Sequence, residues 1–161
     1  MDKERLEKLE KLAQQKKESV EQKKADQKQL LDDLNNKEEK FTKSFKELQN
    51  TVIIPSVKLT AKGIAQAGRL EYASNESTKT LKDQIRLFGK ITYLPKGYSD
   101  SSVGAFLLFE GYKSHGTIEI SQKTLGKNAE VKKQAGYTDI DKVKKEDIES
   151  LIYQFVEQFL K

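Results

Sequence analysis

Few places in this chain bring together residue types that could do chemistry. His115, the single histidine, follows Ser114, and a hydroxyl beside an imidazole is the minimal nucleophile–base pair. Such a pair works when the two groups meet across a site, usually from separate elements. Neighbours on a tight turn are expected to point in different directions, so Ser114 and His115 read as exposed turn residues. Gly126-Lys127 has two letters of a phosphate-binding loop, but the upstream glycine and the following serine or threonine are missing. Asp139 and Asp141 lack metal-ligand spacing and more simply start a helix. There is no cysteine, which removes thiolate catalysis, disulfides and cysteine metal sites. The expectation is a non-enzymatic protein with no cofactor, metal or catalytic residue.

Binding chemistry has a little more support. Lys123 to Tyr137 carries Lys127, Lys132 and Lys133 against one acidic residue, Glu130, and Lys142, Lys144 and Lys145 follow. A basic loop of this kind could hold phosphates, with Tyr137 stacking on a base. The competing reading is a solvated loop, or an edge strand that its lysines protect from aggregation. Charge is not evenly spread. Residues 1–50 hold 13 basic and 12 acidic residues, residues 51–161 hold 17 and 13, and the formal net charge is +5. Only Arg5, Arg69 and Arg86 are arginine. Base readout and bidentate phosphate clamping favour the guanidinium fork, so a surface of lysines argues against specific nucleic-acid recognition.

These residues must be positioned by elements of two kinds. The first fifty residues contain neither glycine nor proline and read as one charged helix. With Leu6 at a heptad a position, the a sites are Leu6, Ala13, Val20, Gln27, Leu34, Phe41 and Leu48. The d sites are Leu9, Lys16, Lys23, Leu30, Lys37 and Ser44. One seam is nearly filled and the other is not, whereas a two-stranded coiled coil wants both. Gln14 to Gln29 offers only Val20 and Ala25, so that stretch is the weakest. A self-associated coiled coil, a solvated single helix and docking on another protein all fit the pattern, since an isolated stripe is marginal in water.

Helical spacing continues through Phe41, Phe45, Leu48 and Val52 towards Ala67. Pro55 should kink or divide this element, and Gly68 should stop it. Period-2 patterns follow. Leu70 and Tyr72 mark a weak strand, and Ile85, Leu87, Ile91 and Tyr93 share one face of a clear one. Residues 105–109 form a continuous apolar run fit for a strand covered on both faces. Phe106, Phe109, Phe155 and Phe159 are expected in the core. Ile118 and Ile120 alternate with polar residues after a hairpin connection at 111–116. Ile148, Leu151, Ile152, Phe155, Val156, Phe159 and Leu160 form a broad helical stripe, with Asp141 as its candidate cap.

The fold class is therefore α+β. A long N-terminal helix, possibly coiled, precedes a helix, a three- or four-stranded antiparallel meander and a C-terminal helix, with both helices of the globular part on one sheet face. The domains are 1–50 and 51–161, the first helix of the second beginning near residue 41. The order helix, three strands, helix resembles that of double-stranded-RNA-binding domains. Lys142, Lys144 and Lys145 loosely echo the basic start of that family's last helix, but its glycine-proline loop motif is absent and membership does not follow.

The expected function is a protein-interaction or assembly module. Leu6, Leu9, Val20, Leu30 and Leu34 would associate with a second copy or dock on another protein. The sheet face bearing Arg86, Phe88, Lys90 and Leu94 would meet a protein partner. The alternative is weak, sequence-independent nucleic-acid binding through Lys127, Lys132 and Lys133. No apolar run approaches the roughly 20 residues of a membrane span, and the N-terminus lacks a hydrophobic signal region. The location is expected to be cytoplasmic, without membrane contact.

Overall fold

Lysine, glutamate, glutamine and leucine are all strong helix formers, and an unbroken run of them gives a helix of unusual length. In the computed structural model, which describes residues 2–75 and 86–161, helix α1 runs from Lys3 to Leu48, 46 residues. Side-chain amides support it one turn ahead. Gln14 donates to Glu18, Gln22 to Asp26 and Gln29 to Asp33, at 3.2, 2.9 and 2.9 Å. Each such pair contributes only about 0.2–0.5 kcal/mol. The chain divides into two units, Met1–Lys37 and Glu38–Lys161. In the first, every described residue is exposed.

The second unit begins within α1, where Phe41 and Phe45 are buried. Pro55 acts here as the sequence predicts, by an identifiable device. A π-helical turn, Gln49–Ile53, interrupts the helix just before it, and the N–H of Ile54 reaches back five residues to the carbonyl of Gln49. Proline has no N–H to continue an α-helical ladder and its ring crowds the preceding turn, so the wider turn accommodates it. Helix α2, Ile54–Gly63, starts afresh with Pro55 in its first turn. Gly68 is not the stop. The helix ends at Gly63, and Gly68 opens the first strand, where a Cβ would lie 2.4 Å from the carbonyl oxygen of Leu94.

Five strands follow: β1 Gly68–Ser74, β2 Arg86–Pro95, β3 Ala105–Tyr112, β4 Thr117–Lys123 and β5 Val131–Tyr137. They form one antiparallel sheet in the order β1-β2-β3-β4-β5. Ile85, placed by its spacing on the second strand, lies outside the described residues. The expectation of three or four strands falls one short, because β5 occupies the segment read as a basic loop. Its sequence Val-Lys-Lys-Gln-Ala-Gly-Tyr has no clean alternation, and a bulge interrupts its register with β4 between Ile120 and Ser121. The five-stranded order also departs from the three strands of the RNA-binding resemblance.

Helix α3, Lys145–Glu157, closes the chain. Asp141 does not cap it. Asp139 instead accepts from the N–H of Asp141 at 2.9 Å and opens a short 3₁₀ turn, Ile140–Lys142. Glu146 and Asp147 do occupy the first turn of α3, where carboxylates favour the helix dipole.

One face of the sheet is covered by helices. Leu87, Ile91, Tyr93, Leu107, Phe109, Ile118 and Ile120 pack in a single cluster with Phe41, Phe45, Ile53, Val57, Ile148, Ile152 and Phe155. Phe159 joins this cluster at its margin, stacked on Tyr93 with ring centroids 5.0 Å apart. Gly111, read as part of a turn, is instead a residue of β3. A Cβ there would lie 2.9–3.0 Å from the rings of Phe45 and Phe41, so glycine lets α1 approach the strand. The β3–β4 turn ends on Gly116 at φ +69°, a left-handed conformation that costs glycine nothing.

Candidate functional site

Alternation decides which side chains face away from the helices. Across β2 and β3 the register pairs Arg86 with Tyr112, Phe88 with Glu110, Lys90 with Leu108 and Thr92 with Phe106, and directly paired residues share a face. Arg86, Phe88, Lys90, Phe106, Leu108 and Tyr112 are half-buried. The outer face is thus a mixed aromatic and charged surface. Lys90 Nζ stands 4.6 Å over the Phe106 ring, and Arg86 forms an ion pair with Glu110. Burial, then the charges of Glu110 and Glu119, push the Tyr112 hydroxyl up from its ordinary value.

Two expectations for this face are corrected. Leu94 is not available to a partner, being fully buried. The segment after β2 folds back over that end of the face. A Cβ on Gly104 would lie within 3.1 Å of Leu94 Cδ2 and 2.9 Å of Thr92 Cγ2. Lys123 fastens this cover: its Nζ, in a buried residue, donates to the carbonyls of Ser102 at 2.9 Å and Gly104 at 3.3 Å. Phe106, expected in the core, is half-exposed on the outer face, so the apolar run of β3 is covered on one side only. Arg86, Phe88 and Lys90 remain together there, without Leu94.

The lysines proposed for polyanion contact are dispersed. Lys127 lies 3.8 Å from Asp100, and Lys133 lies 3.6 Å from Glu119. Hydrogen bonds from Ser102, and the nearby Lys127, hold the Asp100 carboxyl below its ordinary value. Lys132 and Lys133 are successive residues opposite Gln122 and Ser121, so they project to opposite faces of the edge strand. Lys123 is engaged in the loop cover. Burial raises the Tyr137 hydroxyl above its ordinary value, with a smaller push from Asp147.

Ser114 and His115 differ from expectation in geometry. Ser114 Oγ lies 3.0 Å from His115 Nδ1, so the two side chains do meet. Both are exposed. Among the described residues no group of three histidine, aspartate or glutamate side chains could hold a metal ion, and no helix is long and apolar enough to cross a membrane.

Among the described residues, two uncovered apolar features belong to the helices. Leu6, Leu9, Leu12, Val20, Leu30, Leu31 and Leu34 are exposed along α1. At 3.6 residues per turn they all fall within an arc of roughly 120°, so they form a stripe. The second feature is a groove of about 350 Å³ between α2 and α3, mostly apolar, lined by Leu59, Gly63, Ile64, Tyr153, Val156 and Leu160 together with the polar Thr60 and Glu157. Hydrogen bonding to Lys161 and then to Tyr153 holds the Glu157 carboxyl of this lining below its ordinary value. The sequence contained a signal for the groove: Leu59 and Tyr153 fall off the core-facing spacing of their helices. That spacing does not say which helices stand side by side.

No protein-family model, curated protein or solved structure matches the chain.

Proposed function

We propose that this protein is a non-enzymatic, cytoplasmic assembly module that self-associates through α1 and offers its α+β unit to a protein partner. One observation carries the reading. From Asp2 to Lys37 every residue is exposed, yet seven large apolar side chains are among them. Three amide–carboxylate pairs at about 0.2–0.5 kcal/mol each give an isolated helix little support. Burying a single leucine contributes about 1.5–3 kcal/mol. Covering several of these side chains would add more than the amide–carboxylate pairs supply, which is what supports association as the role of α1. The outer sheet face, where Phe88 and Leu108 lie beside Lys90 and Arg86, is the surface offered to the partner.

Sedimentation of the full chain tests this. A mass of two or more chains is expected at about 100 µM, and Leu6→Ser, Leu9→Ser, Leu30→Ser and Leu34→Ser together should return it to the monomer. A full chain that sediments as a monomer at that concentration ends the proposal.

A further inference from the structure

We infer that strand β1 pairs edge to edge, antiparallel, with β1 of a second copy, about a two-fold axis at Leu70. This contact is separate from the α1 stripe and goes beyond it.

Backbone direction picks out the residue at the centre. The N–H of Lys96 donates to the carbonyl of Ala67 at 2.9 Å, and Gly68 stands opposite Pro95. Antiparallel pairing turns the backbone groups of successive residues alternately towards and away from the neighbour. Arg69 and Glu71 therefore direct theirs at β2, like Ala67, and Leu70 directs its N–H and C=O outwards. β1 is first in the sheet order, and among the described residues no strand pairs with its outer side. Two copies of Leu70 facing each other across the axis exchange both N–H···O bonds. The exchange asks nothing of the Gly68 N–H, which already donates to the carbonyl of Ile64 at 3.0 Å. On the inner face the two half-buried Leu70 side chains meet at the margin of each core.

Charge fixes the register. Leu70 against Leu70 puts Arg69 of each copy opposite Glu71 of the other, on the outer sheet face. Both residues are exposed. Within the chain, Arg69 Nε donates to Glu71 Oε1 at 3.1 Å, and Arg69 Nη1 donates to the carbonyl of Tyr98 at 2.8 Å. That leaves the arginine's Nη2 and the glutamate's Oε2 for the facing copy, which closes a ring of four alternating charges. A slip by one residue sets Leu70 against a residue whose backbone groups point at β2, and the bonds are lost. A slip by two sets Arg69 against Arg69 or Glu71 against Glu71, where like charges repel. Larger slips leave both charges without a counterpart. The other edge of the sheet offers nothing comparable. β5 carries Lys132 and Lys133 and no acidic residue, so it meets only like charge in a copy of itself. The β1 contact is isologous and closes at two chains.

Two backbone hydrogen bonds and a set of surface ion pairs make a weak contact, so the test traps it covalently. The chain has no cysteine, which makes single-cysteine variants of the full chain unambiguous. Arg69→Cys and Glu71→Cys chains, each checked for native circular dichroism, are mixed at about 100 µM and oxidised with glutathione disulfide. In the mixed pair the two thiols oppose each other, with Cα atoms about 4.5 Å apart, and the second Arg69–Glu71 contact survives. Two identical variants set theirs about 7–8 Å apart, outside disulfide geometry. The mixed dimer should exceed either identical dimer by at least about fivefold, and adding Glu71→Arg to the Arg69→Cys chain, which opposes two arginines, should cut its capture about fivefold. Random pairing, no capture, or capture indifferent to Glu71→Arg would overturn the edge pairing. Association through α1 is judged apart from this, by sedimentation of the wild type, so either can fail alone.

Discussion

Lys123 is a buried cation whose two recorded acceptors are the carbonyls of Ser102 and Gly104. Replacing it with methionine keeps most of the apolar stem and removes the donor. Both carbonyls then lose a charge-assisted partner, which costs about 1–3 kcal/mol. Lys123→Met is therefore expected to lower stability to urea by that amount and to loosen the cover over Leu94. A Lys123→Met protein as stable as wild type would show that these hydrogen bonds contribute nothing net. The same cover explains what was legible at this scale. Alternation from Arg86 correctly assigns Phe88, Lys90 and Leu94 to one face. It could not tell that Leu94 would be buried and Phe106 half-exposed, because the backbone of residues 96–104, and not the strand pattern, decides which end of the face is roofed. Gly111 was opaque for a related reason. Its meaning lies in the rings of Phe41 and Phe45, more than sixty residues earlier in the chain.

At the scale of elements, period carried most of the information. The 3.6-residue stripe locates α3, the glycine-free and proline-free run locates α1, and Pro55 marks the break between α1 and α2. Strand β5 was hidden because it sits at the sheet edge with only Ala135 and Tyr137 packed against the core, so little in it needed to be apolar. An edge strand exposes unpaired backbone groups to other chains, and lysines obstruct such pairing. Lys132 and Lys133 stand on its two faces, which blocks approach of a strand from either side. Changing both to valine removes those charges, and the Lys133–Glu119 contact it also removes is exposed and contributes at most about 1 kcal/mol. The expected outcome is faster aggregation, seen as light scattering at 37 °C, with the urea midpoint nearly unchanged. Soluble, non-aggregating Lys132→Val/Lys133→Val protein would remove the protective role.

Across the whole molecule, stability is unevenly supplied. Strands β2, β3 and β4 place Ile91, Leu107, Phe109, Ile118 and Ile120 in a closed apolar cluster, whereas residues 2–37 bury nothing within the chain. Amide exchange reads this difference directly, because protection follows the free energy of the opening that exposes each N–H. Amides of β2–β4 are expected to exchange only on global opening. Their rates should change little on dilution. Amides between Lys3 and Lys37 are held by an intrahelical ladder whose side-chain support amounts to about 1 kcal/mol. On the proposed self-association, protection beyond that comes from the contact between copies and follows mass action. Diluting the full chain tenfold through its dissociation range should therefore speed exchange across α1 several-fold. Exchange rates in residues 3–37 that stay constant across that range would mean the helix is held by its own backbone and surface pairs alone. The apolar stripe would then have no part in holding two copies together.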